Sequence, residues 1–260
     1  EDAGKLLHEE SFDGSLVDLN RCGVPLIEIV SEPDLRSAKE AGAYLETMRS
    51  ILQYLDICDC KMQEGSIRCD VNVSVMPRGA KEFGTRCEMK NVNSFSATMR
   101  AIEYEAARQI ALIEAGGQVQ QETRRWDDQK GESVLLRSKE DAHDYRYFPE
   151  PDLGTIVVPE EMIERLRREL PELPAARLKR FMKDFALPHF DANLLVQNPD
   201  KAALFEDAVA LGAKPKAASN WILGDVTRIL YERGMALEQS CLTAGKLAEM
   251  LALIEGGTIS

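Results

Sequence analysis

Two neighbouring segments of the sequence, residues 64–75 and 83–91, alternate polar with apolar side chains in the same order. This period of two predicts two half-buried strands, each with one polar and one apolar face. The charged residues on the polar faces are Arg68, Asp70, Arg86, Glu88 and Lys90. Carboxylate oxygens are ligands for divalent cations, and Arg and Lys bind anions. The polar faces are therefore either solvated and crossed by salt bridges, or they line a site.

The apolar faces of the same two segments carry Cys69 and Cys87, each next to one of the acids. The alternation predicts that both thiols are packed rather than reactive. The chain has six cysteines and three widely spaced histidines, a pattern typical of reduced thiols and not of a zinc site.

Further strands are predicted at residues 15–20, 24–30 and 133–136. They are interrupted by two helices. The first begins at Ser37, where Glu40 completes a capping-box pattern, and the second extends from about residue 95 to residue 115. The residues of the second helix that we expect to point inward are Met99, Ile102, Ala106, Ile110 and Ile113. The order of elements predicts an α+β domain with antiparallel strand pairing.

From about residue 160 onward the strand pattern is replaced by helical spacing, broken by Pro, Gly and Asn. The predicted helices cover residues 160–170, 175–185, 201–211, 217–233 and 243–254. We therefore expect two domains, an α+β domain over residues 1–160 and an all-helical domain over residues 161–260.

Composition excludes several classes of function. The 260 residues carry a formal charge of −12, so the overall field does not attract nucleic acid, and any such contact needs a local basic patch or a bridging cation. The sequence contains neither a P-loop nor a dinucleotide-binding glycine motif, and no serine-hydrolase motif. No apolar run is long enough to span a membrane, so we expect no membrane partner.

Five blocks in order point to one family. They read VDLNRCGVPLIEIVSEP, EGSIRCDVN, MKNVNSF, QETRRWD and DYRYFPEPDL. Together they resemble the B subunits of the aspartyl/glutamyl-tRNA amidotransferases, and the resemblance covers the whole chain. It implies a cradle domain built on an antiparallel sheet, similar to glutamine synthetase, followed by the helical domain. It also implies that this sequence is a fragment that lacks the N-terminal part and the C-terminal tail domain of the family.

The resemblance implies a cytoplasmic ligase that uses ATP and Mg²⁺. The family phosphorylates the side-chain carboxylate of Glu or Asp mischarged on tRNA, and ammonia then replaces the phosphate. Ammonia comes from an amidase-type glutaminase, which is the A subunit of a heterotrimer, and the small third member of the heterotrimer is the C subunit. The alternative is that this truncated form is a non-catalytic module that binds tRNA or docks other subunits. In either case we expect the fragment alone to be inactive.

Site residues follow from the resemblance and from charge. Asp70 and Glu88 match Mg²⁺ ligands of the family, and Glu1 matches a third ligand. A phosphoryl donor and a carboxylate are both anionic, so Arg68 and Lys90 are expected to serve catalysis by meeting phosphate or substrate oxygens. The expected substrate-binding residues are Arg21, Glu28, Arg86 and Asn91. For Arg21, Glu28 and Asn91 the alternative is a turn or a local hydrogen bond.

Two other groups of side chains keep two interpretations each. Residues 145–148, of sequence YRYF, either stack on an adenosine or pack at the domain junction. Basic residues crowd the start of the helical region, either as solvated helix faces or as tRNA contacts. They are Arg165, Arg167, Arg168, Arg177, Lys179, Arg180 and Lys183.

Overall fold

The computed structural model describes residues 5–7, 14, 16–20, 22–138 and 154–259. The strands are β1 Lys5–Leu7, β2 Leu16–Asp18, β3 Val71–Val73, β4 Cys87–Lys90, β5 Glu122–Asp127 and β6 Glu132–Ser138. The helices are α1 Ala38–Tyr54, α2 Phe95–Glu114, α3 Glu160–Glu169, α4 Pro174–Asp184, α5 His189–Val196, α6 Pro199–Ala210, α7 Pro215–Trp221, α8 Thr227–Glu232 and α9 Ala244–Glu255. The chain divides into two compact units, Glu1–Arg36 and Ser37–Ser260. The predicted domain division at residue 160 stays a prediction.

The first unit contains an antiparallel hairpin of β1 and β2. Residues 24–30 follow it without forming a strand, so the strand predicted there is wrong. The apolar side chains of this segment are exposed, as Ile27 and Val30 illustrate. A segment of β-favouring composition forms a strand only where it can pair with a neighbouring strand. Pro25 also lacks the backbone N–H that a sheet hydrogen bond requires.

The second unit contains a four-stranded sheet in the order β3-β4-β5-β6. The pairs β3/β4 and β5/β6 are antiparallel, but β4 and β5 are parallel. The expectation of a purely antiparallel sheet is therefore wrong. Helix α2 connects β4 to β5, and a helical crossover of this length returns the chain in the parallel direction. The fold class is mixed α+β, and the likeness to glutamine synthetase stays a prediction.

Helix α2 packs on one face of this sheet. The side of α2 that is buried differs from the side that its apolar spacing predicts. The residues it buries are Ala97, Thr98, Ala101, Glu105 and Gln109. In contrast, Ile110 is 47% exposed and Ile113 is 49% exposed. The predicted inward orientation of these two residues is thus wrong, because two polar side chains of α2 find buried partners beneath the helix. Met99 lies close to Gly42, where α2 packs on α1.

The helical region has its own core, in which Phe181, Phe185 and Phe205 form edge-on and tilted ring contacts. The predicted helices are all found there, and α5, which follows Pro188, was not predicted. A π-helical turn, Ile222–Val226, joins α7 to α8. Tyr54 of α1 donates a hydrogen bond of 2.9 Å to the Val196 carbonyl, which links α1 to this core. Among the described residues, no helix is both long and apolar enough to cross a membrane.

Candidate active site

The pairing of β3 with β4 brings the two predicted acids onto one open face of the sheet. Asn72 lies opposite Glu88, and continuation of this register by two residues places Asp70 opposite Lys90. The Lys90 Nζ atom is 2.6 Å from Asp70 Oδ2 and 3.0 Å from Glu88 Oε1. Thus one ammonium group bridges two carboxylates, one from the residue before β3 and one from β4.

The two acids differ in how they are held. Glu88 is only 16% exposed, and its second oxygen, Oε2, accepts a hydrogen bond of 2.8 Å from Thr123 Oγ1. Thr123 is buried on β5, directly opposite Glu88 in the parallel ladder. Asp70 lies just before β3 and is 55% exposed. Glu88 is therefore a positioned carboxylate, whereas Asp70 faces solvent.

Lys90 is charged in this arrangement. Partial burial works to lower the pKa of Lys90, but hydrogen bonds to Asp70 and Glu88 outweigh it and raise that pKa above the ordinary value. The cluster thus holds two negative charges and one positive charge.

The carboxylate pair fits part of a Mg²⁺ shell. Both oxygens lie within 3.0 Å of the same Nζ atom, so they are less than roughly 6 Å apart, close enough for two acids to share one ion with Mg–O distances near 2.1 Å. Among the described residues, no group of three or more His, Cys, Asp or Glu side chains is placed to hold a metal. The pair would need further ligands, and Glu1, the predicted third ligand, lies outside the described residues.

Cationic side chains extend the same polar face. Arg68 lies three residues before β3, Arg86 directly precedes β4, and both side chains are exposed. Arg125 of β5 lies opposite Lys90 in the parallel ladder and is also exposed. Sequence reasoning missed Arg125 and Thr123 because β5 lacks a clear alternation, although both fall in the quoted block QETRRWD. Both residues could be assigned to the site only from the pairing of β5 with β4 in the fold.

Asn91, a further predicted substrate residue, directly follows Lys90. Asn91 has a left-handed backbone, with φ of 64°, and its Nδ2 donates a hydrogen bond of 3.0 Å to the Trp126 carbonyl. This hydrogen bond links the end of β4 to β5, and a substrate contact of Asn91 stays a prediction. Glu28 lies in the exposed segment of the first unit. Arg21 and residues 145–148 lie outside the described residues.

A buried polar network supports the opposite face of the sheet. Glu105 of α2 accepts hydrogen bonds of 2.7 and 2.8 Å from Arg108, and one of 2.8 Å from Gln109. Gln109 also donates to the Val73 carbonyl at 3.0 Å, and Arg124 of β5 lies 3.7 Å from Glu105. The network ties α2 to β3 and β5, the two strands that flank β4 in the sheet. Sequence reasoning missed it because Glu105, Arg108 and Gln109 are polar residues of a helix, and such residues are expected to face water.

Both predicted thiols lie on the packed side of the sheet. Cys87 is fully buried, and Cys69 is half-buried against the same core. Burial, helped by the nearby Glu105 carboxylate, raises the pKa of Cys87 to about 11. Burial also raises the pKa of Cys69.

We expect Cys87 in the folded protein to react with a thiol reagent at neutral pH at least about 10²-fold more slowly than Cys241. Cys241 is exposed and serves as the internal control. Time-resolved labelling followed by peptide mass spectrometry measures both rates in one sample. Equal rates would mean that the strand register is wrong.

The basic residues of α3 and α4 are largely paired with acids. Arg165 and Arg167 lie beside Glu169 and Glu164 on the same helix. On α4, Arg177 pairs with Glu206, and Arg180 pairs with Glu172 and Glu206. These pairs describe a mixed-charge surface, so a tRNA contact at α3 and α4 stays a prediction.

Comparison with known proteins agrees with the sequence blocks. Residues 1–164 match the GatB/GatE catalytic domain, and residues 203–260 match the GatB domain. The chain is 55% identical over 263 residues to the aspartyl/glutamyl-tRNA(Asn/Gln) amidotransferase B subunit of Caldicellulosiruptor bescii, and the match covers 100% of the chain and 55% of that relative.

Other curated relatives give similar values. The B subunit of Moorella thermoacetica is 55% identical over 262 residues, with 100% of the chain and 55% of the relative covered. One B subunit of Clostridium acetobutylicum, numbered 1, is 51% identical over 260 residues, with 100% and 54% covered. The chain thus spans about half the length of these relatives. It belongs to the family of aspartyl/glutamyl-tRNA(Asn/Gln) amidotransferase B subunits.

Proposed function

We propose that this chain carries part of the catalytic centre of a tRNA-dependent amidotransferase, a ligase that converts Glu or Asp mischarged on tRNA(Gln) or tRNA(Asn) into the amide. The observation that carries the proposal is the Asp70, Lys90 and Glu88 cluster on an open sheet face. Support comes from relatives that match the whole chain and are named as B subunits of such enzymes.

The proposed reaction has two steps. A side-chain carboxylate oxygen of the tRNA-bound amino acid attacks the γ-phosphorus of ATP, which forms an acyl phosphate and releases ADP. Ammonia then attacks the acyl carbon, phosphate leaves, and the amide nitrogen loses a proton to solvent. Both steps begin with an anionic or phosphorylated substrate, so fixed positive charge must lie beside it.

The acidic and basic residues of this chain have different proposed roles in the reaction. Asp70 and Glu88 would hold Mg²⁺, which neutralises phosphate charge when bound. Lys90 and Arg68 contact phosphoryl oxygens, and Arg86 contacts the substrate carboxylate or phosphate. Thr123 keeps Glu88 aimed at the open face through its hydrogen bond. Glu1, Arg21 and Glu28 remain proposed as a metal ligand and substrate contacts.

The proposed source of ammonia is a partner protein. No nucleophile with a supporting base is arranged at the cluster in the part of the chain that the structure describes, and its groups are carboxylates, ammonium and hydroxyl. We therefore propose an amidase-type glutaminase partner, the A protein, and a small partner, the C protein, in a cytoplasmic heterotrimer that receives mischarged tRNA. The relatives are named as subunits, which agrees with an assembly.

The test is phosphate release by the full-length complex, measured with ATP, Mg²⁺ and either correctly charged or mischarged tRNA. We expect ATP hydrolysis to depend on mischarged tRNA, and amide to form only when glutamine or ammonium is added. Comparison of Glu-tRNA(Gln) with Asp-tRNA(Asn) identifies the substrate. ATP turnover that is the same with correctly charged tRNA would contradict the proposal and favour a non-catalytic, tRNA-binding or docking module.

A further inference from the structure

We propose that Lys90 is an internal counter-ion that occupies the cation position between Asp70 and Glu88, and that a divalent cation must displace it to bind. The displacement would free the Lys90 ammonium to meet phosphoryl oxygens. This inference rests on the proposed function, because it takes the two acids as a metal site. It adds a competition between a side chain and the metal at that site.

The distances make the two cations mutually exclusive. Nζ of Lys90 is in direct contact with one oxygen of each acid, at 2.6 Å and 3.0 Å. An ion that binds the same oxygens would lie within a few ångströms of the ammonium, where two positive charges repel each other strongly. The same oxygens cannot hold both cations at full strength. Binding of one must weaken the hold on the other.

Lys90 is able to leave. Its side chain is 35% exposed, and a lysine ammonium on a four-carbon stem reorients at small cost in packing. Because Lys90 ends β4, its backbone stays fixed by the ladder while the side chain turns. An arginine in its place would donate several hydrogen bonds to the same two carboxylates and would be harder to displace.

The acid that the metal needs stays in position after the exchange. Glu88 is held from the other side by Thr123 at 2.8 Å, so it keeps its direction when Lys90 departs. Asp70 is the more exposed acid and can adjust to the radius of the incoming ion. One fixed ligand and one adaptable ligand suit an exchange between an ammonium and a smaller, divalent ion.

The test is isothermal titration of the full-length complex with Mg²⁺ or Mn²⁺ alone, without ATP and tRNA. A competitor that fills the position in about nine of ten molecules weakens the apparent affinity about 10-fold. We therefore expect Lys90→Met to tighten metal binding about 10-fold and Lys90→Arg to weaken it. Lys130→Met is the matched control, since Lys130 is exposed in the turn between β5 and β6, and its loss should change affinity little.

Asp70→Asn separates the inference from the proposed function. If Asp70→Asn weakens metal binding but Lys90→Met behaves like Lys130→Met, the acids bind metal and the displacement idea is wrong. If Asp70→Asn leaves metal binding unchanged, the metal site itself is wrong and both fail. Tighter binding in Lys90→Met with weaker binding in Lys90→Arg is the pair of results that supports displacement, because a general loss of positive charge does not produce the second.

Discussion

Replacement of Asp70 by Asn or of Glu88 by Gln in the full-length complex is expected to lower the rate of acyl-phosphate formation by about 10² or more. Each substitution keeps the size of the side chain but removes one charged oxygen ligand from the proposed site. Phosphoryl transfer depends on charge neutralisation at the phosphates, so the loss falls on this step. Hydrolysis of glutamine by the glutaminase partner uses a separate nucleophile and should stay nearly unchanged when measured without ATP or tRNA.

The two rates are measured in one preparation, as tRNA-dependent phosphate release and as glutamate formed from glutamine. Glu103→Gln is the matched control, because Glu103 is an exposed acid on the outer side of α2. We expect this control to leave both rates unchanged. Thermal unfolding of each variant checks that the sheet remains intact.

Two results would contradict the assignment. Loss of the uncoupled glutaminase activity in an assembled complex would mean that the acids do not act in the phosphorylation step. Near-normal rates for both activities would mean that Asp70 and Glu88 only form a salt-bridged, solvated strand face. That second result is the interpretation that the alternating pattern leaves open without the family resemblance.

The polar face of β3 and β4 could be predicted because its signal is local. Alternation fixes which side chains share a face, and the observed register then brings Asp70, Lys90 and Glu88 together on the polar face. The signals that predict the helix starts are also local. Ser37 and Ser94 each accept a hydrogen bond from the backbone of the first turn. Such features need no knowledge of distant parts of the chain.

Features that depend on distant partners could not be predicted. Strand β5 has a sequence, ETRRWD, in which Arg124 and Trp126 both turn toward the covered side of the sheet beyond a register shift. Thr123 and Trp126 are both buried although alternation puts them on opposite faces, so burial along β5 does not follow the period-two pattern on which strand prediction relies. Without β5, neither the parallel pairing with β4 nor the contact of Thr123 with Glu88 could be inferred.

The prediction of the buried face of α2 was wrong for a related reason. Hydrophobic spacing assumes that polar helix residues face water, yet Glu105 and Gln109 are fully buried. Their burial is tolerated because Arg108, Arg124 and the Val73 carbonyl meet them. Arg124 and the Val73 carbonyl come from other segments of the chain, so the sequence of α2 alone does not show that Glu105 and Gln109 are buried.

Replacement of Glu105 by Gln is expected to lower the free energy of unfolding by about 3 kcal/mol. The substitution keeps the volume of the side chain but removes the negative charge and replaces one acceptor oxygen with an amide donor, which leaves the positive charges of Arg108 and Arg124 without this partner beneath α2. Glu122 still pairs with Arg124 at 2.6 Å, so the loss falls at the lower end of the range for a broken buried ion pair. Urea unfolding measures the difference, and Glu103→Gln on the same helix should stay within about 0.5 kcal/mol of the parent chain.

The pH dependence of that difference separates charge from packing. Burial alone would raise the pKa of Glu105, but hydrogen bonds from Arg108 and Gln109 outweigh it and hold the pKa below the ordinary glutamate value. A carboxyl group with a lowered pKa in the folded state stabilises fully above its unfolded pKa and loses that contribution as the pH falls through the folded pKa. The stability gap between the parent chain and Glu105→Gln should therefore be largest near neutral pH and should shrink in acid. A gap that stayed constant from neutral pH to below the folded pKa would mean that Glu105 supports the sheet through its shape and not through its charge.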